Sequence, residues 1–141
     1  MAKIYFDGLH DRIKLFDNMA RQTTKVAEKS LRAAAKVYVQ GRKEEATRRK
    51  FQDSGSMIKN IRASKKTNPS SEVGKMTVYS RGTDQKGVRN AEKEFLLHYG
   101  VKNGDGSHRI TATHWVDEAE AKSHREADKA MERVWDEETN Y

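Results

Sequence analysis

The chain has 141 residues, of which 35% are hydrophobic and 35% are charged, and its mean hydropathy is −1.01. This length predicts one domain spanning residues 1–141. The low fraction of hydrophobic residues predicts that part of its surface contacts neighbouring proteins. The lack of cysteine excludes disulfides, thiolate catalysis and cysteine-ligated zinc. Because no apolar run approaches the roughly 20 residues of a membrane-spanning helix and the amino terminus lacks a signal-peptide core, we expect neither membrane insertion nor secretion.

The formal net charge of +7 is distributed unevenly along the chain. Residues 1–66 contain 17 Lys and Arg against 7 Asp and Glu, whereas residues 67–141 contain 11 against 14. Opposed charges of this kind let the basic element of one subunit meet the acidic element of the next. They equally allow the two faces to meet within one subunit, and the sequence leaves both arrangements open.

Two helices are predicted in the first third of the chain. A short amphipathic helix opens after Asp7, which is a reasonable cap, and ends near Ala20. A second helix, capped by Thr23 or Thr24, runs to about Arg49, and Gly41 bends it or loosens its last turns. Its basic face predicts contacts with another subunit or with DNA, through Arg42, Lys43, Arg48, Arg49 and Lys50.

The middle of the chain predicts a small antiparallel sheet of three to four strands. After a turn at residues 53–56, the segment that starts with Met57, Ile58 and Ile61 is expected to be extended. Residues 67–71 form a turn, and residues 73–79 supply the second strand of a hairpin. The apolar run at residues 94–99 predicts a third strand, with a helix as the alternative.

The last part of the chain predicts a loop followed by a helix. Residues 101–112 are expected to be a flexible loop that orders on assembly, because residues 103–107 contain two glycines and no apolar side chain. From about Thr113 a final helix is predicted, and residues 136–141 are expected to fray. The predicted class is α+β, with the long helix packed on the sheet and a helix at the C-terminal end.

No catalytic or metal-binding motif is predicted. We interpret the five histidines as lacking the tight pairing of a helix-borne metal site, with His108 and His114 meeting an ion only if the intervening segment folds back. Neither a Gly-x-Ser-x-Gly elbow nor a phosphate-cradling glycine loop occurs. The sequence therefore predicts no enzyme, no metal and no cofactor.

The basic second helix favours an alternative function. The cluster Arg48-Arg49-Lys50 and the net positive charge suit contact with a nucleic-acid backbone. No zinc finger, basic zipper or aromatic RNA-binding motif accompanies it, so sequence-specific base reading is not predicted. The alternative is thus a basic nucleic-acid-binding accessory protein. A host-targeted inhibitor is a third class, for which the sequence gives no positive sign.

The order of segments and several short motifs resemble the small tail-completion proteins of long-tailed bacteriophages, also called tail-terminator, head-tail joining or neck proteins. Residues 89–100 are similar to the family's "Arg-Asn-x-Glu-x-Ala-Phe-x-x-Glu-Tyr-Gly" element, although Glu94 and His98 replace its Ala and second Glu. Residues 53–61 resemble its "Thr-Gly-x-Leu-x-x-Ser-Ile" element, and Asp7-Gly8-Leu9 its Gly-Leu start. The positions that carry the resemblance are Gly55, Ile58, Ile61, Arg89, Asn90, Glu92, Phe95, Tyr99, Gly100 and Trp115.

The resemblance implies a structural role in the virion. Family members assemble as a ring, commonly a hexamer, at the head-proximal end of the tail, where the ring stops growth of the tail tube and joins the tail to the head. The implied partners are further copies of the chain, the tail tube protein and the head-completion or stopper protein of the neck. Non-specific contact with DNA in the lumen is also implied. Such a subunit is made in the host cytoplasm and needs no cofactor.

Overall fold

The computed structural model describes residues 9–51, 55–64 and 76–139, and for residues 9–12 only the backbone. The elements are, in chain order, α1 (Leu9–Arg48), α2 (Ser56–Lys59), β1 (Ile61–Ala63), β2 (Val78–Ser80), α3 (Asn90–Tyr99), β3 (Val101–Lys102), β4 (His108–Ile110) and α4 (Trp115–Thr139). The predicted cap at Asp7, the Gly8 position and the turn at residues 67–71 lie outside the described residues, as do Asp53, Ser54 and Val73.

Helix α1 is continuous over 40 residues, or about 60 Å, so the prediction of two separate helices is wrong. Thr23 and Thr24 do not cap a helix. Their hydroxyls donate to the carbonyls of Met19 and Ala20, one turn earlier, at 2.9 and 3.0 Å, which keeps both residues inside the helix. Neither α1 nor any other helix in the described ranges has the length and apolar character needed to cross a membrane.

Helix α4 packs antiparallel along the second half of α1. Ion pairs join both ends of this contact, Arg49 to Glu118 at one end and Lys29 to Glu138 at the other. Small residues between them let the two backbones approach closely: Ser30, Ala34 and Ala35 from α1, and Ala119, Ser123 and Ala127 from α4, are buried. A Cβ at Gly41 would lie 1.9 Å from Ser123 Oγ. Gly41 therefore permits close packing in an unbroken helix, and does not end or interrupt it.

The four short strands form two separate antiparallel pairs instead of one sheet. Strand β1 pairs with β2, with Ile61 opposite Ser80, so the predicted hairpin pairing is confirmed. Strands β3 and β4 form a second hairpin within the segment that was predicted to be a loop. The α+β class, the long helix and the C-terminal helix are confirmed. The flexibility of residues 101–112 and the fraying of residues 136–141 stay predictions.

Two predictions in the middle of the chain are wrong. Residues 94–99 belong to helix α3, not to a third strand. The apolar run is misleading because the buried side of α3 is polar: Asn90, Glu94 and His98 follow one another at helical spacing and are buried. The segment that begins at Met57 starts with the short helix α2 and becomes extended only at Ile61.

The hydrophobic core lies where the C-terminal end of α1 meets α2, β1 and the start of α4. Its fully or nearly buried members are Ala46, Met57, Ile61 and Trp115. The Phe51 ring meets the Trp115 indole edge-on, with centroids 5.7 Å apart. Half-buried apolar side chains surround this cluster: Val39, Ile58, Val78, Leu97 and Val116. The core is thus concentrated at one end of the long helix.

Candidate interaction surfaces and ion-pair network

The first part of α1 carries an uncovered apolar surface. We call residues 13–25 the α1 arm, because every side chain in this range is exposed. The arm includes Phe16, which is 66% exposed, together with Ile13, Leu15 and Met19, which are all at least half exposed. An isolated helix of this length is marginally stable in water, and helices in proteins gain most of their stability from packing. The arm therefore lacks the packing that normally stabilises such a helix.

A second uncovered apolar surface lies on α3. Phe95 and Tyr99 are 60% and 59% exposed, and their rings, one turn apart, are in contact at a tilt of 47° with centroids 4.7 Å from each other. We call this pair the α3 patch. Two other motif residues, Arg89 and Glu92, are also exposed on or beside this helix. This half of the predicted motif therefore faces outward.

The other half of the motif is structural. Asn90 is fully buried at the start of α3, and its Nδ2 donates to Ser56 Oγ at 3.1 Å and to the Arg81 carbonyl at 2.7 Å. These bonds tie α3 to α2 and to the chain that leaves β2. Gly55 precedes α2 at φ +72°, and Gly100 ends α3 at φ +74° with the Ile110 carbonyl 2.6 Å from where a Cβ would stand. Among the remaining motif positions, Ile61 and Trp115 are in the core and Ile58 packs against it.

The buried carboxylate of Glu45 lies between α1 and α4 and binds basic side chains of both helices. Glu45 accepts hydrogen bonds from Arg48 at 2.6 Å, Arg49 at 2.8 Å and Lys122 at 2.9 Å. The bond from Arg48, reinforced by those from Lys122 and Arg49, holds the pKa of Glu45 well below its ordinary value, although burial opposes this. Arg48 and Arg49 also pair with Glu118. We call these residues the Glu45 network.

Arg42 is likewise occupied within the chain. Its side chain is only 12% exposed, and its guanidinium donates to the Val78 carbonyl at 2.6 Å and to Glu120 at 3.2 Å. It also lies 3.7 Å from Glu94, whose other oxygen accepts the Ser80 backbone N–H at 2.9 Å. Burial raises the pKa of Glu94, while Ser80 and Arg42 act in the opposite direction.

In the single chain, these pairs join opposite charges of the two halves of the sequence. Of the five basic residues predicted to contact a subunit or DNA, Arg42, Arg48 and Arg49 bind carboxylates of the same chain. Within the described ranges, Lys43 and Lys50 form no ion pair with a carboxylate. Opposite charges on α1 and α4 therefore meet inside one subunit, and the basic face has fewer groups to offer to phosphates than the sequence indicates.

Three potential metal ligands converge where α3 ends and α4 begins. One ring nitrogen of His98, one of His114 and a carboxylate oxygen of Asp117 all lie within 4.8 Å of one another. The sequence analysis missed this His–His–Asp cluster because His98 is distant in the chain. His114 and Asp117 are three residues apart at a helix start, and this spacing was the available signal.

Comparison of the chain with protein-family models, with curated proteins and with solved structures gives no match. The relation to phage tail-completion proteins therefore stays a resemblance carried by the motif residues.

Proposed function

We propose that the chain is a structural subunit that assembles with copies of itself into a ring at the head-proximal end of a bacteriophage tail. There it terminates the tail tube and joins the tail to the head, a role that needs neither catalysis nor a cofactor. The observation that carries the proposal is the α1 arm, a helix whose apolar side chains, among them Phe16 and Ile13, face water in the single chain.

The α1 arm favours a protein partner, because burial of its exposed apolar side chains against another protein would contribute favourable free energy. Burial of one Phe or Leu side chain contributes about 1.5–3 kcal/mol, and the arm exposes four large apolar residues. Apolar side chains clustered on a surface mark interaction sites more often than isolated ones do. A neighbouring copy that packs against the arm supplies the contacts that the arm lacks.

The number of exposed surfaces supports a ring in particular. Head-to-tail rings need two different surfaces on each subunit, one meeting the other on the next copy. The α1 arm and the α3 patch are two such surfaces, on separate helices. Their apolar character means that the contact does not depend on the basic residues Arg42, Arg48 and Arg49, which already bind carboxylates within the subunit.

The resemblance supports the more specific assignment. Phe95, Tyr99, Arg89 and Glu92 are motif positions of the tail-completion family and lie on the exposed side of α3 or next to it. We propose that the partners are the tail tube protein and the stopper protein of the neck, in addition to further copies of the chain, and that the mature location is the virion. DNA passing through the lumen would meet the ring without sequence-specific contacts.

Mass photometry of the chain, purified without a tag and measured over a range of concentrations, tests the proposal. We expect a discrete mass that is a multiple of 16.2 kDa, with six copies as the family-based expectation. Phe16→Ser and Phe95→Ser should each raise the concentration needed for assembly about tenfold or more, because each removes one large apolar contact. Tyr79→Ser is the matched control, since Tyr79 is an exposed aromatic residue outside both surfaces.

Complementation of a phage that lacks its own tail-completion gene extends the test to the specific assignment. Wild-type chain should restore joined tails, and the Phe16→Ser variant should not. A chain that stays monomeric at high concentration and does not bind tail tubes would remove the proposal. Tight duplex binding that falls steeply with salt, without assembly, would instead favour the nucleic-acid alternative.

A further inference from the structure

In the His–His–Asp cluster the ligand atoms are slightly farther apart than in an occupied metal site. His98 Nε2 lies 3.8 Å from Asp117 Oδ2, and the His98 and His114 rings meet edge-on with centroids 5.1 Å apart. A transition metal bound at about 2.1 Å from each ligand requires the ligand atoms to be roughly 3.3 Å apart. Because His114 and Asp117 are exposed, small rotations of their side chains are enough to close this gap.

The backbone prepositions the ligands on two elements. The N–H of His114 donates to the carbonyl of His98 at 3.1 Å, and the N–H of Thr113 donates to that of Leu97 at 3.2 Å. His114 is held at φ +49°, a left-handed conformation that residues with a side chain adopt uncommonly. Backbone strain of this kind concentrates at ligand-binding and catalytic positions. The backbone hydrogen bond between the two residues places the His114 ring beside that of His98.

Burial differs among the three ligands in a way that suits ion entry. His98 is 8% exposed, and its Nδ1 accepts the Val116 N–H at 3.4 Å, which points Nε2 toward Asp117. The exposed side of the cluster is open to water, so an ion can reach it and keep water in its remaining positions. Binding at Nε2 moves the ring proton to Nδ1 and gives up the long Val116 contact.

We propose that His98, His114 and Asp117 bind one divalent transition-metal ion, of the class of zinc, nickel or cobalt, and that the ion joins the end of α3 to the start of α4. Two imidazoles and one carboxylate suit these ions, whereas magnesium and calcium prefer sets made of oxygen ligands alone. The site adjoins the α3 patch, because the Tyr99 ring meets the His98 ring edge-on with centroids 4.5 Å apart, but the proposal does not rest on the role in the virion.

Titration of the tag-free chain with CoCl2 and ZnCl2 tests the site. Visible absorption of bound cobalt and calorimetry with zinc should both report one ion per chain at pH 7.5. His114→Ala and Asp117→Asn should each weaken binding at least about tenfold, because each removes one of three protein ligands. Both residues are exposed, so these variants should fold normally. The matched control is His108→Ala, which removes an exposed histidine outside the cluster.

The proposal is overturned if neither ion binds at millimolar concentration. It is equally overturned if binding survives both cluster variants but is lost in His124→Ala, since His124 lies 3.4 Å from Asp128 and would then be the true ligand.

Discussion

The two ends of helix α1 differ in how they meet their surroundings. Around its C-terminal end, which we call the core end, α2, both strands of the first hairpin, α3 and the start of α4 converge on Trp115 and Ile61. At the other end, the α1 arm exposes every side chain from residue 13 to residue 25. Helix α1 therefore has one end that holds the fold together, whereas the side chains of the arm toward its other end remain exposed.

Polar groups show the same contrast. At the core end, the buried polar side chains of Asn90, Glu45 and Glu94 find partners within the chain. The large apolar side chains of the arm, in contrast, are not buried by any other part of the described chain. Because side chains are buried at the core end and exposed in the arm, substitutions at the core end should act on stability, whereas substitutions in the arm should act on association.

The largest loss of stability is expected from Trp115→Ala. Removal of this fully buried indole leaves a cavity beside Phe51 and Ile61 and should lower the free energy of unfolding by about 3–5 kcal/mol. Urea unfolding followed by circular dichroism measures this loss. Trp135→Ala is the matched control, because Trp135 is half-buried near the far end of α4 and should cost clearly less. Equal losses would contradict a core confined to one end.

A smaller loss is expected from Gly100→Ala. The new Cβ would meet the Ile110 carbonyl at 2.6 Å and the Ala112 nitrogen at 2.7 Å, in a backbone with φ +74°. Strain and overpacking together should cost about 3 kcal/mol. Gly87→Ala has a similar φ of +80° with nothing near its Cβ, so its cost should be only about 1 kcal/mol. The difference in unfolding midpoint between the two variants isolates the packing contribution.

Glu45→Gln should lower the free energy of unfolding by about 2 kcal/mol at pH 7, because it weakens four charge-assisted hydrogen bonds from three side chains. The pKa of Glu45 is lowered in the folded state, so its contribution is present above its unfolded pKa of about 4.3 and is lost as the pH falls below that value. The gap between variant and wild type should therefore shrink from pH 7 to pH 3.

The neighbouring Glu44→Gln is the control for that titration. Glu44 is exposed and accepts a hydrogen bond from Gln40 at 2.9 Å, so its substitution should change stability little at any pH. A pH-independent loss in Glu45→Gln would mean that packing, and not charge, accounts for the effect of the Glu45 network.

The smallest effect on stability is expected from Phe16→Ser. Because this side chain is 66% exposed, the free energy of unfolding of the monomer should change by no more than about 0.5 kcal/mol. Urea unfolding at the lowest workable concentration provides the measurement. A loss near that of Trp115→Ala would show that the arm belongs to the fold and would remove the contrast between the two ends.

The sequence predicts the helices better than the segments between them. The periodic apolar stripe of α4 and the Ala-rich part of α1 are local signals, and both elements are found. The apolar run at residues 94–99 favoured a strand, with a helix as the alternative, and the structure has the helix, whose outward face is aromatic and whose inward face is polar. Asn90 and Glu94 are buried only because Arg81, Ser56, Ser80 and Arg42 lie where they can pair, and no local pattern reveals that.

The motif positions show a related limit. Gly100 was identified from a resemblance, but the reason that it must be glycine lies in the approach of residues 110 and 112, which depends on the second hairpin. Phe95 and Tyr99 belong to the same motif, but the sequence does not reveal that they face outward. Burial of a residue depends on tertiary contacts, so the separation of structural from exposed motif positions required the fold.

Hydrogen exchange on the intact chain, compared at low and high concentration, tests directly whether the α1 arm is uncovered in the monomer and covered by another copy on assembly. We expect amides in residues 13–25 to exchange quickly in the dilute monomer and to become protected when the chain assembles, while amides around Ala46 stay protected under both conditions. Quick exchange of the arm at every concentration would contradict assembly through the arm. Full protection in the monomer would contradict an arm that is uncovered in the single chain.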